Sequence, residues 1–504
     1  MYKQRIVSHL AKSQPVPHHG PWPRYDVEAD VWTAIGPALD EGGVELLGHW
    51  ADAEQVHLAI RSEALGPCVV SLSVKAGNFP SIGRYHPPAI RLERAIHDLY
   101  GFTPVGAPDG RPWLGHGAWG LKAPLGACET DAMRDRAVYD FLPAEGENLH
   151  QIPVGPVHAG IIEPAHFRFT ANGETIVRLE QRLGYAHRGI DGLLTDADIE
   201  RARRVVARIL GDSTVAYSFA FARAVEAALQ IEVPQRAHVL RGVMAELERI
   251  ANHFGDIGAI CNDAGFAVIH AQCGIFRERV LRAANLAFGH RLMMDRIVPG
   301  GVEDMAPDGA RDILLILEEI EPQFIETVEL YDNTASLQDR TCTTGFVDPE
   351  LVKRWAPGGF VGRASGRNFD ARRNLAYPPY QGAEFDVPVF DEGDVNARVW
   401  VRIREVEQSI RLLKGWLSAL PTGPVQVPIG VADEPREGVA VTEAFRGDVL
   451  IWVRVTGGRI VRCHARDASW FQWPLLEVAV KDNIVADFPL CNKSFNCCSA
   501  GHDL

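Results

Sequence analysis

Residues 155–169 read GPVHAGIIEPAHFRF and lead directly into a predicted β-hairpin. The runs His166–Thr170 and Glu174–Leu179 alternate apolar and polar side chains, as strands with one buried face do. Asn172-Gly173 between them is the strongest short hairpin signal, because the tight turn needs residues that tolerate positive φ. The stretch therefore marks where a second and larger part of the chain begins.

Downstream of this hairpin, from about residue 195, the apolar residues recur with helical spacing. Thr195-x-x-Asp198 predicts a capping-box-like start of a long helix, and Pro234 precedes a second predicted helix over 237–255. Asp394 is the predicted N-cap of the most regular helix, whose apolar residues repeat every three or four positions: Ile403, Val406, Ile410, Leu413, Leu417 and Leu420.

The first part of the chain has a different pattern. Helical spacing from Pro88 to Tyr100 predicts a helix that ends at Gly101, and a Gly- and Pro-rich, irregular stretch follows up to about residue 153. Upstream of that helix, three short β-rich runs predict adjacent antiparallel strands: Val44–Trp50, Val56–Ile60 and Cys68–Val74.

These patterns predict an α+β protein with a domain boundary near residue 145. Residues 1–145 are expected to form a small α+β domain. Residues 146–504 are expected to form a large, mainly helical bundle with peripheral strands, among them Ile451–Val455 and Leu476–Val480.

The composition excludes several classes of protein. A hydrophobic content of 46% with 23% charged residues excludes wholesale disorder. The formal charge of −14 disfavours nucleic acid and anionic lipid as main partners. The sequence contains no run of about 18 apolar residues, so it predicts no direct membrane span. The first twenty residues also lack the apolar segment that a secretory signal needs. Nine scattered cysteines are too sparse for a disulfide framework, so we expect a reducing, cytoplasmic location.

The motifs after residue 150 resemble one family in order along the chain. They are similar to those of the large subunit of energy-converting, formate-hydrogenlyase-type NiFe hydrogenases and of the 49-kDa-type (D-type) subunit of complex I, the NADH:quinone oxidoreductase. The similarity is carried by 155–169, by RLGYAHRG at 182–189 and by ELERIANH at 246–253. It continues through further short motifs: Phe276–Arg279, Gly300–Val302, Arg363–Gly366, Phe385–Pro388 and Gly393–Glu405.

The segment from Glu93 to Asp109 is similar to the 30-kDa-type (C-type) subunit of complex I, which implies a docking role for residues 1–145. The resemblance as a whole implies an iron–sulfur small subunit, a ferredoxin-like subunit and membrane antiporter-like subunits as partners. It also implies a location peripheral to the inner or plasma membrane, held there through those partners. The iron–sulfur cluster is expected in the partner subunit, not in this chain.

The residues that would hold nickel in this family are largely replaced. A nickel–iron centre needs four thiolates, which the family supplies as two Cys-x-x-Cys pairs, because soft anionic sulfur binds nickel and bridges it to iron. Here Leu210 and Ser213 stand at the first pair, and Cys498 and Gly501 at the second. At most one of four thiolates remains, so the sequence predicts no nickel.

The residues that hold a quinone in complex I are also incomplete. His158 matches the first histidine of the family motif, but Ile162 stands at the second. The tyrosine position holds Leu210 or Gly211, with Tyr217 nearby as a possible substitute. A bound quinone remains open, and no cofactor is predicted to be held by this chain itself.

Four polar residues are the candidate site residues that remain: Glu163, His158, Asp212 and Arg363. Glu163 lies where related hydrogenases carry a proton-relaying glutamate, with an ordinary solvated residue beside a hairpin as the alternative. Asp212 is either a cavity carboxylate or a helix N-cap, and Arg363 is either near the cavity or part of a structural ion pair.

Two further clusters have structural interpretations. Glu246, Arg249 and His253 share one helical face and are expected to form a pairing network that orients the bundle. Near the end of the sequence, four residues are enough to provide the ligands of a tetrahedral zinc site: Cys491, Cys497, Cys498 and His502. Buried free thiols are the preferred interpretation of these cysteines.

The sequence therefore predicts a subunit of a membrane-associated oxidoreductase complex related to complex I and energy-converting hydrogenases. Its cavity is expected to lie beside an iron–sulfur partner and to couple electron transfer to ion translocation without a nickel–iron centre. Three alternatives stay open: a quinone-site subunit, a genuine hydrogenase large subunit, and a non-catalytic scaffold.

Overall fold

The computed structural model describes residues 2–130, 138–158 and 162–504. In chain order its strands are β1 (His19–Gly20), β2 (Arg24–Asp26), β3 (Glu45–Ala51), β4 (Gln55–Ser62), β5 (Gly66–Ser73), β6 (Asn78–Pro80), β7 (Thr103–Val105), β8 (Leu121–Lys122), β9 (Glu129–Thr130), β10 (Leu149–Val154), β11 (His166–Asn172), β12 (Thr175–Arg182), β13 (Ala197–Asp198), β14 (Ile297–Val298), β15 (Gly301–Val302), β16 (Arg436–Ala444), β17 (Gly447–Thr456) and β18 (Arg459–Arg466).

Its helices are α1 (Tyr2–Leu10), α2 (Ala29–Asp40), α3 (Pro88–Tyr100), α4 (Ile190–Leu194), α5 (Ile199–Val206), α6 (Thr214–Leu229), α7 (Gln235–Asp263), α8 (Ala267–Phe288), α9 (Gly309–Asn333), α10 (Ala335–Thr341), α11 (Pro349–Trp355), α12 (Gly359–Arg363), α13 (Ala371–Asn374), α14 (Val395–Ser418), α15 (Ser469–Ala479), α16 (Phe488–Phe495) and α17 (Ser499–Asp503). Short 3₁₀ turns cover Gly211–Ser213 and Val485–Asp487.

The first part of the chain forms a four-stranded sheet in the order β2-β5-β4-β3. The predicted antiparallel pairing of β3 with β4 and of β4 with β5 is confirmed, and β2 joins the sheet parallel to β5. Helix α3 begins at Pro88 and ends where Gly101 takes φ +74°, as predicted from the Gly stop. Three of its apolar side chains are buried: Leu92, Ala95 and Ile96.

The predicted hairpin is also confirmed, with β11 and β12 antiparallel and Gly173 at φ +58° in the turn. Beyond it, helices α7, α8, α9 and α14 pack against one another and form the bundle. Helix α14 begins as predicted, because Asp394 accepts a hydrogen bond from Ala397 N at 2.8 Å. Its apolar residues from Ile403 to Leu417 lie in the core.

A five-stranded sheet in the order β1-β16-β17-β18-β13 lies between the two parts of the molecule. Helix α6 packs on β16 and β17, and on the other side Trp452 of β17 meets Trp50 of β3 with 5.7 Å between ring centroids. Strands β16 and β17 are therefore covered on both faces and almost wholly buried. The apolar runs at their centres, residues 439–441 and 449–453, fit such a location.

Two local predictions were wrong. Leu476–Val480 is not a strand, because α15 runs through it to Ala479. This helix is buried on every side, so its sequence lacks the apolar and polar periodicity that distinguishes helix from strand. The predicted long helix after Thr195 is the eight-residue α5, capped by Asp198, which accepts from Arg201 N at 2.7 Å.

No single helix among the described residues is both long and apolar enough to cross a membrane. Ile199–Val206 and Gly211–Leu229 meet the length and composition criteria only when they are taken together, and they are bent by 111° at the break between them. The domain boundary near residue 145 stays a prediction.

Candidate functional site

The four positions at which the resemblance predicts nickel ligands lie on two segments, the loop 208–213 and the start of α17. Leu210 packs in an apolar cluster with only 7% of its surface exposed. Ser213 is buried, its hydroxyl 3.4 Å from Asp212 Oδ1. Cys498 precedes the first residue of α17, and Gly501 lies within it.

Glu163 binds the beginning of α17. Its Oε2 atom accepts hydrogen bonds from Ser499 N at 2.6 Å and Ala500 N at 2.9 Å. The Cys498 thiol lies 3.3 Å from the same oxygen and 3.6 Å from Oε1, so it donates to this carboxylate. In turn Cys498 Sγ accepts from Gly501 N at 3.2 Å. Glu163 is therefore a half-buried carboxylate held through its Oε2 atom, rather than a solvated residue.

Asp212 forms a bidentate ion pair with Arg446, at 2.9 Å from Nη1 to Oδ1 and 2.6 Å from Nη2 to Oδ2. Arg446 follows strand β16 and also donates to Asn496 O at 2.5 Å, just before Cys498. It thereby links the loop 208–213 to the segment that leads into α17. Asp212 lies inside a short 3₁₀ turn and accepts from a charge partner, so it is not the N-cap of a helix, and its role as a cavity carboxylate stays a prediction.

The space beside Gly501 is filled by a buried polar pair. Tyr217 is fully buried, and its hydroxyl donates to Asp467 Oδ2 at 2.8 Å. A Cβ atom at Gly501 would lie 3.0 Å from Asp467 Oδ2 and 3.1 Å from the Tyr217 hydroxyl. These two groups therefore close the space that a side chain at position 501 would enter.

Burial and charge set the protonation of this cluster. Burial raises the pKa of the Cys498 thiol well above its ordinary value; Arg446 opposes the rise, and Glu163 adds to it. Burial and the Asp467 carboxylate likewise raise the pKa of Tyr217 well above its usual range. Burial alone would lower the pKa of Arg446, but the Asp212 carboxylate outweighs it and the net shift is upward. Cys498 and Tyr217 are therefore neutral donors, and Arg446 is the fixed cation.

The other two predicted site residues have partners elsewhere. His158 Nε2 lies 2.9 Å from Ala165 O, so its ring bonds the chain just before β11. Arg363 is fully buried and pairs with Glu405 and with Glu443, the latter at 2.9 Å. Its surroundings match the structural ion-pair interpretation.

That ion network contains the predicted charged face of α7. His253 Nε2 lies 2.6 Å from Glu405 Oε2, and Arg249 Nε lies 3.2 Å from Glu246 Oε2. All four side chains are at most 1% exposed. The network joins α7 to α14, as expected of buried charges that must be paired.

Sequence reasoning missed Arg446 and Asp467 as members of the site. The available signal was a charged residue just beyond the end of a buried strand: Arg446 lies in the turn between β16 and β17, and Asp467 directly follows β18. A buried charge in such a place needs a partner, but the sequence does not show which one. Tyr217 was considered only as a quinone ligand, a role that its buried and engaged hydroxyl does not suit.

The side chains present do not fit a nickel–iron centre. Leu210 has no donor atom, Ser213 offers only a hydroxyl, the Cys498 thiol is held by Glu163, and Gly501 has no side chain. Within residues 2–130, 138–158 and 162–504, no three His, Cys, Asp or Glu side chains are grouped so that they could hold a metal ion. The four predicted zinc ligands near the end of the sequence do not come together either. The His502 ring stacks on Trp470 with 3.8 Å between ring centroids, whereas Cys491 lies beside Gly345.

Comparisons with known proteins give matches along most of the chain. Residues 263–432 match the family model of the respiratory-chain NADH dehydrogenase 49-kDa subunit, and residues 188–255 match that of nickel-dependent hydrogenases. Hydrogenase-4 component G of Escherichia coli K12 is 31% identical, over 93% of this chain and 83% of that protein. Formate hydrogenlyase subunit 5 of the same organism is 29% identical, over 93% and 84%.

Two further comparisons cover a smaller share of this chain. The D 1 subunit of the NADH-quinone oxidoreductase of Roseiflexus sp. RS-1 is 31% identical, over 67% of this chain and 94% of that protein. A solved chain of the membrane-bound sulfane sulfur reductase, an archaeal respiratory membrane complex, superposes with a TM-score of 0.67 at 24% identity. It covers 71% of this chain and 99% of that chain, and it shows that the fold is shared.

Proposed function

The chain belongs to the family that unites large subunits of membrane-bound hydrogenases with the 49-kDa-type subunits of NADH-quinone oxidoreductases, and from this premise we propose that it is a subunit of a membrane-associated oxidoreductase complex. We further propose that its site handles protons beside an iron–sulfur cluster of a partner subunit, without a nickel–iron centre. The observation that carries this proposal is the contact of the Glu163 carboxylate with the Cys498 thiol, and the Tyr217–Asp467 pair that closes the space beside Gly501 supports the absence of a nickel–iron centre.

Glu163 is the proposed proton carrier. Its Oε2 atom accepts hydrogen bonds from two backbone N–H groups and from the Cys498 thiol. The Oε1 atom has only the longer contact to Cys498 Sγ, at 3.6 Å. Oε1 is therefore the oxygen that is free to take up a proton and release it. The Cys498 thiol beside it is a neutral donor that can pass a proton to this carboxylate.

Arg446 and Asp212 are the proposed electrostatic part of the site. A buried guanidinium beside the thiol favours added negative charge, such as an electron on a neighbouring cluster. The Asp212 carboxylate holds the guanidinium plane in place through two hydrogen bonds. A change in charge at the partner's cluster would then be answered by proton uptake at Glu163, which is how electron transfer could be coupled to ion translocation.

The partners proposed for this complex are an iron–sulfur small subunit, a ferredoxin-like subunit and antiporter-like membrane subunits. Attachment to the membrane would occur through them. This arrangement is supported by relatives that are named as subunits of membrane-bound hydrogenases and NADH-quinone oxidoreductases.

The test uses the intact complex purified from membranes through a tag on this chain. Metal analysis is expected to give iron but no stoichiometric nickel. Hydrogen-dependent reduction of methyl viologen and viologen-dependent reduction of decylubiquinone are then measured on the same sample. One nickel per chain together with hydrogen uptake would show a genuine hydrogenase and overturn the proposal.

The matched variants are Glu163→Gln and Glu174→Gln. The amide at position 163 keeps an acceptor for the α17 N–H groups but cannot carry the proton, so turnover of the complex should fall about 100-fold. Glu174 lies exposed in the β11–β12 turn, and its variant should retain full activity. Equal activity of both variants would remove Glu163 from the mechanism.

The scaffold is the second candidate function. Leu210 is packed among apolar side chains, as a closed and non-catalytic pocket would require, but Ile162 is 61% exposed and fills no pocket. A complex that has its full set of iron–sulfur clusters but shows neither hydrogen uptake nor quinone reduction would favour the scaffold.

A further inference from the structure

Arginines are concentrated around the loop that carries Leu210 and Asp212. The segments 199–212 and 277–296 contain nine arginines and four carboxylates, although the whole chain has a formal charge of −14. Six arginines on and beside these segments, here called the arginine rim, surround this edge of the site: Arg188, Arg204, Arg208, Arg277, Arg282 and Arg291.

Direct contacts connect the arginine rim to the site. Arg188 donates to the carbonyl oxygens of Arg208 at 2.9 Å, Ile209 at 2.7 Å and Ala500 at 3.0 Å. It therefore ties the loop 208–213 to α17. On the opposite side, Arg277 and Arg291 line a small cavity of about 10 Å³ together with Gly211 and Asp212.

The guanidinium groups of the rim are accessible and held in position. The exposed side-chain fractions are 77% for Arg282, 52% for Arg291, 50% for Arg208 and 62% for Arg204. Glu278 lies 2.9 Å from both Arg282 and Arg291, and Asp295 lies 2.7 Å from Arg208.

The carboxylates of the rim are too few to neutralise it. Arg188 and Arg277 have no carboxylate partner within the part of the chain that the structure describes. A cluster of cations that stays this exposed repels itself, and a complementary surface of opposite charge relieves that repulsion.

We infer that the arginine rim is the docking surface for an acidic partner subunit, whose Asp and Glu side chains pair with Arg282 and Arg291. All nine cations in the two segments are arginines, whose planar forks bind carboxylates with two hydrogen bonds. Glu278 and Asp295 fix the orientation of those forks, which suits a rigid protein surface better than mobile lipid headgroups. Arginine is also enriched in protein interfaces.

The inference rests on the proposed function, because the rim borders the proposed proton site and its partner would cover that site. The test uses the purified complex with the single variants Arg282→Lys and Arg291→Lys. Each keeps the charge and adds an amine that a carbodiimide can couple to a contacting carboxylate. Arg311→Lys is the matched control, since Arg311 is 65% exposed near the start of α9, is not part of the arginine rim and likewise pairs with carboxylates.

The expected result is a new zero-length cross-link from position 282 or 291 to an Asp or Glu of another subunit, and none from position 311. The double variant Arg282→Glu/Arg291→Glu should reduce recovery of that subunit at least tenfold at 150 mM salt, whereas Arg311→Glu should not. Circular dichroism of the variant chains confirms that they are folded.

Three results would overturn the inference. One is the absence of any new inter-subunit cross-link from both lysine variants in an intact complex, and another is unchanged subunit recovery with the double charge reversal. A third is that the double variant loses binding only to vesicles of phosphatidylglycerol in phosphatidylcholine, which would identify a lipid surface. If Glu163→Gln still lowers turnover about 100-fold in any of these cases, the proposed function stands and only the inferred docking surface is wrong.

Discussion

Gly501 lies where any side chain would meet two polar groups already bonded to each other. The Cβ position is 3.0 Å from Asp467 Oδ2 and 3.1 Å from the Tyr217 hydroxyl, which are tighter than ordinary contacts. A cysteine placed at this position would have to displace the Tyr217–Asp467 pair, so that substitution alone would not build a metal pocket. This contact is the most local evidence for a changed chemistry.

Gly501→Ala should destabilise the chain by about 1–3 kcal/mol, because the added methyl forces the Tyr217–Asp467 pair to move. In a Tyr217→Phe background the cost should be smaller, since one of the two close atoms is gone. Urea unfolding of the four chains of this double-mutant cycle measures the coupling. Equal costs in the two backgrounds would show that Tyr217 does not restrict this position.

At the scale of elements, α14 shows when sequence suffices. Its apolar residues repeat with helical spacing, and Asp394 bonds both Ala397 N at 2.8 Å and Thr343 N at 2.7 Å. Cap, spacing and burial agree, so the helix was predictable. Helix α15 is mostly apolar and buries nearly all of its residues, polar Ser469 and Gln472 included, and for such a segment only the packing decides between helix and strand.

Asp394→Ala should lower the free energy of unfolding by about 1–2 kcal/mol, because two backbone N–H groups lose their acceptor. Asp348→Ala is the control: Asp348 caps the seven-residue α11 at an exposed site, where the loss should be near 0.5 kcal/mol. Both values come from chemical denaturation of the full chain. A larger effect at Asp348 would contradict the role given to the α14 cap.

At the scale of the whole molecule, the two parts share their core. One apolar cluster contains Ile96 of the first part together with Phe169 and Trp470 of the second. Trp50 of β3 also stacks on His464 of β18, with 5.2 Å between ring centroids. The predicted boundary near residue 145 therefore separates two segments of the chain that share a core, and we expect them to unfold together.

Trp452→Ala should cost about 3–5 kcal/mol, because Trp452 is fully buried in the contact between the two sheets. Urea unfolding followed by fluorescence and by far-UV circular dichroism should give one coincident transition in the wild type and in the variant. Val431→Ala, at a 69% exposed position, should change stability by less than about 0.5 kcal/mol. Two separate transitions would contradict the shared core.

Buried histidines should make the whole molecule acid-sensitive. Burial lowers the pKa of His86 from 6.5 to about 3, so below pH 6.5 the unfolded chain binds a proton that the folded chain does not. Stability therefore falls as the pH falls from 6.5 towards 3, by about 2 kcal/mol for this residue between pH 7 and pH 5. His49 and His19, with pKa values lowered to about 4 by burial, add to this loss.

His86→Leu should reduce the difference in unfolding free energy between pH 7 and pH 5 by about 2 kcal/mol. The exposed His9→Leu is the control and should leave that difference unchanged. Comparing the two pH values within each variant removes any direct effect of the substitution on packing. An unchanged pH dependence in His86→Leu would show that His86 is not held neutral in the fold.

The sequence by itself determined the elements with strong local signals: the β11–β12 hairpin with its Asn-Gly turn, α3 with its Gly stop and α14 with its Asp cap. It also placed Leu210, Ser213, Cys498 and Gly501 at the former ligand positions, because residue identity alone decides whether a thiolate can exist. Only the tertiary structure showed that Arg446 pairs with Asp212, that Tyr217 and Asp467 close the space beside Gly501, and that Glu163 caps α17. The partners of buried charges lie tens to hundreds of residues apart in the chain, so their pairing follows from packing, which no local pattern encodes.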